Sequence, residues 1–513
     1  MDKKRVTVLT VVLIIATAFW ISPATARELL LFDEPLTVLG YVTQEAAFGL
    51  RNSYDTEPGL QSALMNVFFE EEYRPLSQLK FYTSQKVSVD WAYQINGDRD
   101  SWVERGFNDS ASRYNIDDKY WQILNEAHLT WTPGDFFFRI GKQIVSWGEV
   151  TAYRIMDQIN PVDYRRGFAD VEFENTIIPI WLIRSEYYPR WVHISWLQDL
   201  ALEWVFNPNV TWIPNQDIRL GNDDGGIWAP NIRVPDPMSP FGKDYIGSFL
   251  YNIDKPGAFR QFGNALRIKG VVEDTILTLN YYNALDHSPI LATGSQPPIV
   301  TIAEDGRLDI HEFEFGHYPR LQYVGMTASR DLPFLKYTPI GGIAPVFRFE
   351  TFYAFDETFL NYNYNYFVHS DELRMGIGID WKIKWNLLNP KAFFTISPEF
   401  IFRRLTDLPS GLKPGPQIQY EDTATNVLKR NNYQWTLSIS TTYLNAKLSP
   451  SIYWWRDCTQ KSDFYRFQVT YAWSSHWLAT LGLVLLDGQR KNIGFEPFDN
   501  KNYLDLKVTY KWS

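Results

Sequence analysis

Trp121-Gln122-Ile123-Leu124-Asn125-Glu126-Ala127-His128-Leu129-Thr130-Trp131 is the stretch on which the fold turns. Read with a period of two, one face carries Trp121, Ile123, Ala127, Leu129 and Trp131, and the other Gln122, Glu126, His128 and Thr130, with Asn125 as the one flaw. That period marks a strand with an apolar and a polar face. Ten steps of ~3.3 Å tilted by ~40–45° project to ~24 Å, close to the apolar band of a membrane-spanning barrel. The terminal tryptophans would then sit in the two aromatic girdles.

The pattern recurs down the chain. Leu373, Met375, Ile377, Ile379, Trp381, Ile383 and Trp385 oppose Glu372, Arg374, Gly376, Gly378, Asp380, Lys382 and Lys384. Tyr433, Trp435, Leu437, Ile439 and Tyr443 oppose Gln434, Thr436, Ser438 and Ser440, and Tyr465 to Trp473 repeats the scheme. A soluble sandwich also alternates, but it has no need of aromatics bracketing strand after strand. Strands are expected near 36–50, 61–74, 78–95, 120–132, 135–146, 178–188, 199–206, 259–270, 275–284, 310–329, 339–355, 370–385, 392–405, 432–444, 447–456, 464–473, 477–486 and 501–512. That is an all-β, antiparallel, up-and-down barrel of about eighteen strands, with sixteen as the alternative count.

Tight links such as Pro133-Gly134 and Asn445-Ala446 alternate with long ones such as 207–258, as in barrels with periplasmic turns and extracellular loops. Leu504, Leu506, Val508, Tyr510 and Trp512 share a face of the last strand, a pattern that resembles the C-terminal signal read by the barrel-assembly machinery, here with Ser513 after the aromatic.

At the other end, Lys3-Lys4-Arg5, the apolar run Val6–Ile21 and Ala24-Thr25-Ala26 read as a secretory signal over 1–26, cleaved before Arg27. The expectation is one barrel domain over 27–513 in the outer membrane of a Gram-negative cell. After Arg27 the longest apolar run is Ile177–Ile183, interrupted by Pro179 and far short of a spanning helix. The chain is 16% aromatic, with 20 Trp and 30 Tyr, side chains that suit a membrane interface. Its one cysteine, Cys458, allows no internal disulfide, so a closed hydrogen-bond ladder must supply stability. Segment 1–26 carries three positive charges and one negative, so the −10 of the whole chain becomes −12 without it. That acidity argues against a nucleic-acid partner. The expected partners are outer-membrane lipid and lipopolysaccharide, the assembly machinery, and a transported solute of unknown identity, with self-association as a further option.

The third outer link, Trp147 to Ile177, is the candidate functional element, because a loop of about thirty residues in a compact fold is usually functional or disordered. Its content of Trp147, Tyr153, Ile155, Met156, Ile159, Tyr164 and Phe168 argues against disorder. Ala152, Ile155, Met156 and Ile159 follow helical spacing, so a short amphipathic helix on the inner wall is expected. Glu149, Arg154, Asp157, Asp163, Arg165, Arg166, Asp170, Glu172 and Glu174 bring charge to the region of Arg139, Gln143 and Glu126. Charges at a constriction set which solutes pass. The plainer alternative is that each is a paired charge holding the loop down.

Asn125-Glu126-Ala127, the run Arg139-Ile140-Gly141-Lys142-Gln143-Ile144-Val145-Ser146-Trp147-Gly148-Glu149, Asp157, and Asn160-Pro161-Val162-Asp163-Tyr164-Arg165 resemble a proteobacterial outer-membrane family catalogued as domain of unknown function 1302. Its members show an REA segment, then RxGxQ and WGE, then NPxDxR. Asn125 stands where the family has Arg. The resemblance implies a porin-like barrel with a suspected link to hydrophobic or lipid-like compounds. By analogy with general diffusion porins, the third loop is expected to fold inward and narrow the lumen.

Two rivals remain. A hydrolase would need a nucleophile with a base in reach, and the sequence has no GxSxG, HExxH or CxxC element. His311 and His317 would lie about 20 Å apart along a strand, too far for a shared metal. No enzyme activity, cofactor or metal is expected. A structural or adhesive barrel is the other rival, and conductance discriminates it.

Overall fold

The computed structural model describes residues 29–32, 34–50, 59–95, 123–151, 154–163, 176–215, 248–253, 255–292, 299–302, 308–337, 343–360, 367–407, 430–489, 494–498 and 501–512. The expected signal segment lies outside them, as do Trp121, Gln122, Arg165 and Arg166.

Among the described residues eighteen strands close into one antiparallel barrel. In chain order they are β1 (Glu34–Gly49), β2 (Leu64–Leu76), β3 (Leu79–Asp90), β4 (Leu124–Trp131), β5 (Phe136–Gln143), β6 (Ile180–Tyr187), β7 (Leu197–Asn207), β8 (Gly263–Val272) and β9 (Thr275–Leu285). The second half comprises β10 (Arg320–Asp331), β11 (Val346–Leu360), β12 (Phe367–Ile383), β13 (Phe394–Leu405), β14 (Asn431–Ser440), β15 (Leu448–Asp457), β16 (Ser462–Ala472), β17 (Trp477–Gly488) and β18 (Tyr503–Trp512). Each pairs with its chain neighbour, and β18 pairs with β1 from Gly40↔Trp512 to Gly49↔Tyr503, which leaves no free edge.

The faces follow the alternation. On β4, Leu129 and Trp131 are exposed on the outer wall, whereas His128 and Thr130 are buried toward the lumen. Asn125, the flaw in the period, is the extra residue of a β-bulge: Ser84 pairs Glu126 and Gln85 pairs Leu124. The Ser84 hydroxyl takes both the Glu126 N–H, at 3.1 Å, and the Asn125 amide, at 3.2 Å. Because a bulge reverses facing, Leu124, and not Ile123 as the simple parity had it, continues the face of Ala127. Outward rings stack between strands, as Trp131 on Phe138 at 5.8 Å and Phe400 against Trp435 at 4.6 Å.

At the short-link end, Pro133-Gly134 turns with Gly134 at φ +59°, and Leu444-Asn445-Ala446 turns with three successive left-handed residues. The expected strand 310–329 divides in two. Leu308–His317 leaves the barrel and forms a separate outer sheet with Ser248–Ile253, Ile290–Ala292 and Ile299–Ile302, while β10 starts at Arg320. Pro319, with no N–H to donate, lies in the break.

Candidate functional site

The third outer link turns inward and crosses the lumen to the opposite wall. Asn160 fixes its base. Its Oδ1 accepts the Val145 N–H at 2.8 Å, and its Nδ2 donates to the carbonyls of Gln143, at 3.0 Å, and Ile178, at 3.1 Å. Above it, Val162 bridges to Ile177 and the Asp163 N–H donates to the Thr176 carbonyl at 2.7 Å. One amide side chain thus satisfies backbone groups on both legs of the loop, as an irregular buried segment requires.

Past that base, five consecutive backbone N–H groups end on carboxylates. Those of Trp147 and Gly148 donate to Asp157 Oδ1, which also accepts the Ser146 hydroxyl at 2.9 Å. The N–H groups of Glu149 and Val150 go to Glu350, the first at 3.0 Å to Oε2. That of Thr151 goes to Glu399 Oε1 at 3.0 Å, and the Thr151 hydroxyl donates to the same oxygen at 2.8 Å. Hydrogen bonds to ionised acceptors are roughly twice as strong as neutral ones. Arg348 completes the clasp, donating to the Glu149 carbonyl at 2.9 Å and pairing with Asp380 and Glu399 at 2.8 and 3.3 Å. Gly148 leaves room for the carboxylates, since a Cβ would stand 2.6 Å from Asp157 Oδ2 and 3.2 Å from Glu350 Oε2.

The apolar side of the loop packs on the inner wall from β6 round to β11. Ile155 and Met156 are fully buried with Val145, Trp147 and Ile159 among Leu182, Val205, Tyr282, Tyr323 and Phe352. Tyr282, Tyr323 and Phe352 stack in sequence, 5.1 and 4.6 Å between centroids. The Tyr282 and Tyr323 hydroxyls donate to the carbonyls of Gln158 and Met156 at 3.0 and 3.1 Å. Trp147 donates through Nε1 to Glu203 at 3.3 Å, and the Arg267 guanidinium lies 5.8 Å from its ring.

The expected helix over 152–159 does not form among the described residues. Gln158 occupies the acceptors a helix would use: its Nε2 donates to the carbonyls of Arg154 at 2.6 Å and Ile155 at 2.9 Å. The helical spacing of Ile155, Met156 and Ile159 therefore reported burial on one side of an irregular turn.

The sequence-predicted residues divide in role. Arg139 and Gln143 face the lumen. Arg139 donates through Nε to Thr130 Oγ1 at 3.0 Å and lies over the Phe137 ring, 5.2 Å from its centroid, with Arg184 at 5.5 Å from the same ring. Gln143 is buried on the Leu182 carbonyl at 3.1 Å. Glu126 accepts the Ile144 N–H at 3.1 Å where the loop departs. Asp157 and Glu149 belong to the clasp, and Asp163 to the base. Gly141, between Arg139 and Gln143, has φ +138° and leaves room for His128, which stacks on Tyr82 at 5.0 Å.

Sequence reasoning passed over Glu350, Glu399 and Arg348, the far-wall partners, and Glu203 on the near wall. Their signal was charge at lumen-facing parity, in strands whose opposite face is mostly apolar, as Phe347, Phe349 and Tyr353 opposite Arg348 and Glu350. Arg184 pairs with Glu186 and Glu203 at 2.6 and 2.8 Å. The lumen is thus lined by matched charges on both sides of the loop.

Three solved structures cover 93% of this chain, each with a TM-score below 0.5: Salmonella typhi OmpF in complex with daunomycin, Acinetobacter baumannii OccAB4, and a mutant porin of Rh. blastica. Their identities are 8%, 9% and 10%, their TM-scores 0.38, 0.44 and 0.34, and the matched shares of their own chains 98%, 97% and 100%. No curated protein matches the chain. Residues 62–512 match the family described as protein of unknown function DUF1302, spanning the clasp, its base and the wall that receives them, and the chain belongs to that family.

Proposed function

We propose that the barrel is an outer-membrane channel for small solutes, which pass through the part of the lumen that the inward loop leaves open. The observation that carries this reading is the clasp of five amides on Asp157, Glu350 and Glu399, which fixes the loop as a partition reaching the far wall. A barrel of sixteen to eighteen strands leaves an aqueous lumen, and a merely structural barrel would have no use for dedicated seats on the opposite side. The charges beside the partition, Arg139, Arg184, Glu186, Arg348 and Asp380, suit small polar solutes. A second reading, apolar cargo, draws on the Tyr282–Tyr323–Phe352 stack. The loop covers that stack, so this cargo requires the loop to move aside.

Export by the signal segment, cleavage before Arg27, contact with lipopolysaccharide and insertion by the assembly machinery belong to the same reading, as does the lack of an enzymatic role. Single-channel conductance and liposome swelling with salts, sugars and fatty acids test it. Absence of conductance and swelling in a folded barrel would favour the adhesive alternative, and a positive lipase assay on the purified protein would favour the enzyme.

A further inference from the structure

His287 lies just beyond the outer end of β9 and is buried where three outer links meet. Its Nδ1 is 2.9 Å from the Ile213 carbonyl oxygen, in the link after β7, and its Nε2 is 3.2 Å from the Ile159 carbonyl oxygen, in the constriction loop. The Trp212 indole stacks on the imidazole at 5.0 Å, and Tyr318 meets that indole edge-on at 4.9 Å. Asn215 reinforces the junction. It accepts the Val162 N–H at 2.8 Å, gives its own N–H to the His287 carbonyl at 2.9 Å, and donates through Nδ2 to Ser288 Oγ at 2.9 Å.

Two carbonyl acceptors face one ring. A neutral imidazole has a single N–H, so one of the contacts then sets a lone pair against a carbonyl, whereas the imidazolium donates to both. The Trp212 face also favours a cation. Burial works the other way and, with the Arg154 guanidinium of the constriction loop, pushes the ring's pKa down to about 4. The neighbouring carboxyl of Asp286 accepts the Ser288 N–H at 2.8 Å and is itself pushed up by burial. Trp212, Tyr318 and Asn215 bring no charge.

We propose that His287 is a proton-released latch on the constriction loop: the neutral ring, seated between Ile159 and Ile213, ties the loop to the neighbouring link, and a proton placed on that buried ring beside Arg154 breaks the seat, frees the loop and raises conductance. This rests on the channel reading above and adds a regulator to it. The sign follows from linkage: the seated ring takes a proton less readily than an exposed one, so the seat holds at neutral pH and weakens as pH falls from the ordinary imidazole range toward about 4.

The test is planar-bilayer recording of the full mature chain as the outer side is taken from neutral pH to about 4, with the His287→Phe and His287→Gln variants beside it. The wild type is expected to gain conductance on acidification, and both variants to show no such gain. A wild type with no acid step, or an acid step that persists in both variants, overturns the latch. Should the variants fail to insert, hydrogen exchange of residues 154–163 in the wild type decides: protection, corrected for the intrinsic rate, falls in acid if the latch is right and stays level if it is wrong. A wild type silent at neutral pH defeats the channel reading alone, and the exchange measurement then judges the latch by itself.

Discussion

Gly376 on β12 lies directly beneath Ile155: a Cβ there would come within 2.7 Å of the Ile155 Cδ1 and 3.0 Å of the Val150 Cγ2. Gly325 on β10 does the same for Met156, whose Sδ and Cε would be 2.9 Å from an added Cβ. The far wall is hollowed at two glycines so that two side chains of the loop can seat. Gly376→Val should therefore lift the loop, costing ~1–3 kcal/mol by overpacking and raising single-channel conductance. Denaturant titration and bilayer recording of one preparation check both effects, and an unchanged conductance would show that Ile155 does not hold the loop in place.

Asp157 accepts from three donors of the Ser146–Gly148 turn. Removing the acceptor leaves buried N–H groups unpaired at ~1–3 kcal/mol each. Asp157→Ala is expected to expose the loop to protease cleavage at the outer surface and to increase conductance. Asp157→Asn, which keeps an oxygen in place, should do much less. Equal behaviour of the two variants would remove the hydrogen bonds as the cause.

The Arg348–Glu399 pair is buried, with Arg348 also on Asp380. Loss of one partner from such a pair costs ~3–5 kcal/mol, because the other charge is left uncompensated. Arg348→Met should destabilise the barrel by that order and free Thr151, whereas the double variant Arg348→Met with Glu399→Gln should recover part of the loss. A double-mutant cycle in urea measures the coupling.

Facing predicts another contrast. Ile379 lies on the lipid side and Gly378 on the lumen side, 3.2 Å from Glu399 Cγ if a Cβ is added. Ile379→Lys should cost ~2–4 kcal/mol near the midplane. Gly378→Lys would place its ammonium near carboxylates and should mainly shift ion selectivity. Equal destabilisation of both in a urea titration would show the face assignment to be wrong.

Arg139 and the loop provide the last contrast. Arg139→Ala should change ion selectivity with little effect on conductance, since it removes a lumenal charge but no clasp. Deletion of 150–172 should raise conductance. Reversal potentials and single-channel currents separate the two outcomes, provided the deleted form still shows heat modifiability on a gel.

The barrel was legible because each spanning strand must show apolar groups to lipid every second residue, and Leu373 to Ile383 and Tyr433 to Ile439 repeat that alternation with aromatics at their ends. Leu308–His317 misled because the same alternation serves a sheet outside the membrane; periodicity reports a two-faced strand, not where it lies. The inward loop could be located from its length and aromatics, and Asp157 and Asn160 from their motif. Its partners could not, because Glu350, Glu399 and Tyr323 lie about two hundred residues away, and which lumenal charge meets which loop amide depends on register around the barrel. The bulge at Asn125 appeared only as an unexplained break in the period.

The span of the clasp also has a bearing on how the molecule is built. Glu149 reaches Glu350 across 201 residues, and Thr151 reaches Glu399 across 248. Asp157 can organise its own turn as soon as β5 and the loop exist, but the far seats arrive only when β11 to β13 have been laid down. Contacts of such separation form late, because the loop-closure entropy must be met first. The clasp therefore cannot close before β5, β11 and β13 stand in one wall, and the segment it holds should be among the last to settle.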